Sequence, residues 1–200
     1  MKIKICGLTA PKEAVYLNEN QVDFAGFVLF FPKSKRNITI DQAKEIFTHL
    51  SSTIKKVAVV VSPTLAQAKE IETAGFDYIQ IHGVLPQELL TNLRIPILKA
   101  FNIDDMEHYP DYVNQPSIAG FVFDANEPGS GKTFDWNLLR SLPKNNKLMF
   151  LAGGLHANNV TAAIEAVSPD VVDVSSGVEL SEGIGKDPNK INAFVKAVRQ

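Results

Sequence analysis

Residues 118–124 read Ile118-Ala119-Gly120-Phe121-Val122-Phe123-Asp124, and after a short interval comes Gly129-Ser130-Gly131-Lys132-Thr133, followed by Phe134-Asp135-Trp136. The apolar run does not alternate with polar residues, so it predicts a strand covered on both faces, as in a parallel sheet. The strand ends on a carboxylate, Asp124, and opens into a glycine-rich loop. Asp135 is placed to cap a following helix that carries Leu138, Leu139 and Leu142. Strand, acid, loop and helix make half of a βαβ unit, and the rest of the chain repeats it.

Seven further β-rich apolar runs occur: Ile3–Cys6, Phe24–Phe30, Val57–Val61, Tyr78–Ile81, Ile97–Phe101, Leu148–Leu151 and Val171–Val174. Helical stripes lie between them, at Ala43/Ile46/Phe47/Leu50, Val160/Ala163/Ile164/Val167 and Ile191/Phe194/Val195/Val198. The last helix has a start signal, Asp187 at the N-cap and Pro188 at the first helical position. Pro110, inside residues 104–114, limits that interval to one short helix. Eight strand-then-helix units in 200 residues predict an α/β fold, a single-domain (β/α)8 TIM barrel over residues 1–200. An open doubly wound sheet is the competing architecture and commonly uses fewer strands.

Composition narrows the partners. The formal charge of −2 and pI near 6.1 provide no field to draw in nucleic acid or an anionic membrane. No run approaches the ~20 apolar residues of a membrane span. The N-terminal apolar run is too short for a signal peptide, and the single cysteine cannot form an internal disulfide, so a reducing, cytoplasmic setting is expected. A small-molecule partner is favoured, with the chain a monomer or homodimer. With one cysteine and no clustered histidines, no metal site is expected.

Parallel barrels hold their chemistry where the strands end. Those ends carry Cys6-Gly7, a basic run with Lys33, Lys35 and Arg36, then His82-Gly83, Asp124, Gly153-Gly154 and Ser175-Ser176-Gly177. The Gly and Ser turns follow the last two strands, a frequent phosphate site in barrels. Gly131-Lys132-Thr133 resembles the close of a P-loop, but residue 126, which would have to be the opening glycine, is Asn126. The loop reads better as a lid. Cys6, beside a helix start near Thr9 and Pro11, is a candidate thiolate stabilised by backbone N–H groups and the helix dipole. Asp124 has no helix close enough to cap and is a candidate acid. Arg36 is a candidate anion contact, and His82 is open between core and ligand.

In combination these motifs carry a family resemblance along the whole chain. They are Lys4-Ile5-Cys6-Gly7-Leu8-Thr9, Gly26-Phe27-Val28, Phe31-Pro32-Lys33-Ser34 with Arg36, Gln80-Ile81-His82-Gly83, Asp124, and Pro128 to Trp136. Leu151-Ala152-Gly153-Gly154-Leu155 and Val172-Asp173-Val174-Ser175-Ser176-Gly177-Val178-Glu179 complete the set. The chain resembles the phosphoribosylanthranilate isomerases, barrel enzymes of tryptophan biosynthesis. The resemblance implies the Amadori rearrangement of N-(5'-phosphoribosyl)anthranilate to 1-(2-carboxyphenylamino)-1-deoxyribulose 5-phosphate, without a cofactor. It implies Asp124 as general acid on the ring oxygen and Cys6 as general base at C2'. It further implies Arg36 on the anthranilate carboxylate and Gly153, Gly154, Ser175, Ser176 and Gly177 around the phosphate, with His82 a further substrate-binding candidate. Two departures stand out. Lys35 replaces the usual proline before the arginine, which predicts a less rigid loop, and His156-Ala157 replaces the usual Asn-Pro. A flavin-binding barrel, or a barrel that binds a phosphorylated ligand without chemistry, are the alternatives from other classes.

Overall fold

The structure, a computed structural model, describes residues 1–125, 133–142 and 145–200. Among them nine strands form one sheet: β1 (Lys2–Cys6), β2 (Phe24–Leu29), β3 (Asn37–Ile38), β4 (Lys55–Val61), β5 (Tyr78–His82), β6 (Ile97–Asn102), β7 (Ile118–Asp124), β8 (Leu148–Leu151) and β9 (Val171–Val174). The order β1-β9-β8-β7-β6-β5-β4-β2 closes by pairing β1 with β2, with neighbours parallel throughout. This is the closed eight-stranded barrel expected from the repeat. The additional β3 is two residues long and pairs with the end of β2 outside the closure.

Helices α1 (Pro11–Glu19), α2 (Ile40–Phe47), α3 (Leu65–Thr73), α4 (Gln87–Asn92), α5 (Tyr109–Val113), α6 (Val160–Val167) and α7 (Pro188–Arg199) run between or after the strands. Their starts are chemically specified. Thr39 and Gln42, and again Thr64 and Gln67, exchange side-chain-to-backbone hydrogen bonds that satisfy N–H groups of the first turn. Asp187 Oδ1 accepts from Asn189 N and Lys190 N, the cap expected from the sequence. Pro110 sits in the first turn of α5, where no N–H is needed, and a 3-10 segment (Ile103–His108) precedes it.

Two expectations are corrected. The segment after Asp135 is a 3-10 turn, Trp136–Ser141, not an α-helix. Asp135 caps Asn137 N, Leu139 is buried, Leu138 is exposed, and Leu142 lies past the end of the turn and packs against the core. Helix α2 stops at Phe47, and Leu50 reaches the core from the following turn. The glycine loop at 129–132 lies outside the described residues. Among the described residues, no helix is long and apolar enough to cross a membrane.

Strand alternation decides which side chains enter the barrel. In β1, Ile3 and Ile5 pack outward under the helices while Lys4 and Cys6 point inward. In β7, Phe121 and Phe123 face outward and join Phe101 and Tyr109, with Tyr109 and Phe121 centroids 4.8 Å apart in an edge arrangement. Val122 and Asp124 therefore take the inner face. The lower interior is filled by apolar residues such as Phe24, Val57, Leu98, Phe150 and Val171, which makes it a core and leaves only the upper end open.

Candidate active site

The strand ends surround a cavity of about 410 Å³ at the mouth of the barrel. Cys6, Arg36, His82, Asp124, Gly153, Gly154, Ser175 and Ser176 all line it. One predicted member does not. Gly177 sits behind the rim, where a Cβ would fall 2.1 Å from the Leu155 carbonyl oxygen, so its backbone is pressed against the neighbouring loop.

Two glycines shape the surroundings of Cys6 and Arg36. A Cβ on Gly26 would lie 2.8 Å from Cys6 Sγ, so the pairing of Cys6 with Gly26 across β1 and β2 makes the space the thiol occupies. Gly7 has φ +81°, and a Cβ there would lie 2.6 Å from Arg36 Cδ. The turn that ends β1 is thus also the seat for the arginine stem, which requires glycine twice over.

Asp124 is 9% exposed and accepts a hydrogen bond from Ala125 N at 2.8 Å. Burial, followed by repulsion from the Asp173 carboxylate, pushes its pKa up to about 6. The carboxyl is therefore a usable proton donor near neutrality. Cys6 behaves otherwise than its helix-side position suggests. Its thiol faces the cavity, and desolvation raises its pKa, outweighing the lowering by the Lys4 ammonium. Burial thus opposes the stabilised thiolate expected at Cys6, because dehydration of the anion exceeds the help from nearby positive charge. His82 stands 2.8 Å, ring Nε2 to Gln80 Nε2, from its neighbour on β5. Burial, with the Lys4 and Lys99 charges, pushes it down to about 3, so it is neutral and too weak a base for proton abstraction at neutral pH.

Several buried charged groups around the cavity escaped the sequence reading. Lys4, fully buried inside the barrel, donates to Asp173 Oδ2 at 2.6 Å. Desolvation alone would lower its pKa, but the charges of Asp173 and Cys6 reverse the sign and raise it. Glu179 and Lys186 are buried behind the rim, and Lys186 Nζ reaches Glu179, Ser175 O and Ser175 Oγ at 3.3 Å each. Ser175 Oγ in turn donates to the Cys6 carbonyl at 2.9 Å. Lys4, Gln80 and Asp173 could have been found, because each is polar within an apolar run and shares parity with a strand-end candidate two residues on. Glu179 and Lys186 had no such signal, since they lie in a loop. Lys35, in place of the usual proline, has its Nζ 2.8 Å from Glu179 Oε2.

A cavity with a carboxyl whose pKa is pushed up to about 6, a thiol, an arginine and Gly/Ser turns on the last two strands suits acid–base chemistry on a phosphorylated, carboxylate-bearing molecule. Known proteins agree. The family model for N-(5'phosphoribosyl)anthranilate (PRA) isomerase matches residues 3–197. N-(5'-phosphoribosyl)anthranilate isomerases from Listeria monocytogenes and Thermoanaerobacter pseudethanolicus are 40% and 41% identical, each match covering 100% of this chain and 98% of the relative. The crystal structure of phosphoribosyl anthranilate isomerase from Thermotoga maritima is similar at TM-score 0.88 and 34% identity, over 100% of this chain and 98% of that one. A structure of such an isomerase in complex with reduced 1-(o-carboxyphenylamino)-1-deoxyribulose 5-phosphate is similar at TM-score 0.84 and 33% identity, again over 100% and 98%. With the family model matching residues 3–197 and full-length relatives at 40% identity, the chain belongs to the N-(5'-phosphoribosyl)anthranilate isomerase family of tryptophan biosynthesis.

Proposed function

We propose that this cavity carries out the Amadori rearrangement of N-(5'-phosphoribosyl)anthranilate with Asp124 as general acid and Cys6 as general base. Asp124, neutral when the pH is below about 6, gives its proton to the furanose ring oxygen as the C1'–O bond breaks and an iminium forms. The Cys6 thiolate then takes the proton from C2', and the electron pair moves to give an enolamine. Ketone formation follows as C1' takes up a proton and the C2' hydroxyl loses one. Two protons leave the enzyme and two return, so no redox partner is needed. Arg36 meets the anthranilate carboxylate with its guanidinium fork, and the turns at Gly153-Gly154 and Ser175-Ser176 take the phosphate. The substrate is a small phosphorylated molecule, and the lone thiol suits the reducing cytoplasm.

The observation that carries this reading is the buried Asp124, its pKa raised toward neutrality, on the wall of the same cavity as Cys6 and Arg36. The test is Asp124→Asn in a fluorescence assay of substrate consumption. The amide keeps the shape and cannot donate a proton to oxygen, so kcat should fall about 10²–10⁴-fold with the affinity for a product analogue little changed. A loss under about tenfold would leave Asp124 as a structural residue.

A further inference from the structure

Glu179 lies past β9 with its backbone fixed: its N–H donates to Ser176 O at 3.1 Å, and Lys190 Nζ donates to its carbonyl at 2.7 Å. Its carboxylate is shared among three cations. Oε1 accepts from Arg36 Nε at 2.5 Å and from Lys186 Nζ at 3.3 Å, and Oε2 stands 2.8 Å from Lys35 Nζ. Among the described residues, the Nε–H is the one guanidinium donor of Arg36 with a hydrogen-bond partner. A guanidinium offers five N–H donors in a planar fork, so a carboxylate fixed on Nε leaves the two Nη groups to face a second carboxylate. The arginine stem lies against Gly7, which closes the other side.

We infer that Glu179 is the positioning residue that sets which edge of Arg36 faces the cavity, and thereby fixes the site's preference for a carboxylate-bearing substrate. The inference rests on the reading of Arg36 as the carboxylate anchor. Lys35 and Lys186 hold Glu179 from two sides, so neither it nor Arg36 is free to rotate. Even with Glu13, whose Oε1 accepts from Lys186 N at 2.7 Å, three cations face two carboxylates, and the cluster keeps a positive charge for an anionic ligand. The same cations explain why the Glu179 carboxyl, despite burial that would raise it, is held at about 2 and stays ionised.

The experiment compares Arg36→Ala, Glu179→Ala and the double variant in the full chain. KM and kcat are measured for the phosphoribosylated substrate. Inhibition constants are measured for anthranilate, which has the carboxylate, and for ribulose 5-phosphate, which has only the phosphate. Each single variant should raise KM and the anthranilate constant about tenfold, the loss expected for one hydrogen bond to a charged group. The ribulose 5-phosphate constant should hold within about threefold, and the double variant should be no worse than Arg36→Ala alone, because Glu179 acts only through the arginine. Should Glu179→Ala fail to fold, Glu179→Gln replaces it: one acceptor oxygen survives, and the same selective loss should appear at about threefold. An unchanged KM in the Glu179 variants beside a raised one in Arg36→Ala overturns the positioning role and leaves the anchor standing. Equal loss for both inhibitors, or multiplied losses in the double variant, overturns it as well. An unchanged KM in Arg36→Ala removes the anchor, and the inference with it.

Discussion

Alkylation of the single cysteine across a pH series reads the acid–base state of this site directly. In the free enzyme Asp124 titrates at about 6 and burial holds the Cys6 thiol above its ordinary value of ~8.5. The protonation state proposed for turnover, a neutral carboxyl with a thiolate, is therefore the minor one between those limits. Its share does not change with pH between them. Near neutral pH the protonated thiol dominates, so iodoacetamide should inactivate more slowly there than at high pH. The assay is residual activity with mass spectrometry of the labelled chain, expecting one label per chain because there is one thiol. A product analogue should slow the loss, because the thiol faces the substrate cavity. The kcat/KM profile should be a bell with its acid limb near 6 and its basic limb on the thiol. An alkylation pKa below ~8.5 would refute the claim that desolvation dominates at Cys6. Full activity in labelled protein would return Cys6 to the core.

Gly26→Ala should lower kcat by about ten- to a hundredfold in a protein that still folds, since the new methyl would start 2.8 Å from Cys6 Sγ and displace the proposed base; an unchanged kcat, with folding checked by circular dichroism, contradicts the proposed seat. Lys99 is 5% exposed on the outer side of β6, donates to Gly83 O and Ala100 O, and is pushed down to about 8 by burial. Between about 8 and the unfolded ~10.4 the unfolded chain holds more protons, so native stability rises with pH there, and below about 8 the burial penalty is fully present. The stability difference between Lys99→Met and the native chain should therefore shift in favour of the native chain by up to about 3 kcal/mol over that window, by urea unfolding. A difference independent of pH would show that Lys99 is solvated.

Apolar periodicity determined the eight strands and most of the rim, and the strand count favoured a barrel whose closure, β1 pairing with β2, the structure shows. A strand covered on both faces needs an unbroken apolar run, and parallel strands must all end on one side, so Cys6, Asp124 and the turns after the last two strands were legible as neighbours. The sequence also held Lys4, Gln80 and Asp173, since parity within β1, β5 and β9 puts them on the face of Cys6, His82 and Ser175. The same parity sends Lys99 outward, away from the chemistry, although it too is a polar residue in an apolar strand.

What only the tertiary structure decided are the quantities that depend on several segments at once. The rise of the Cys6 thiol comes from desolvation by the surrounding barrel, against the partial help of Lys4. The setting of Arg36 needs Gly7 from β1's end and Glu179 from the last loop, residues up to 143 positions away in sequence. Loops have no periodicity to reveal such partners, whereas a strand's alternation is local and can be read along the chain.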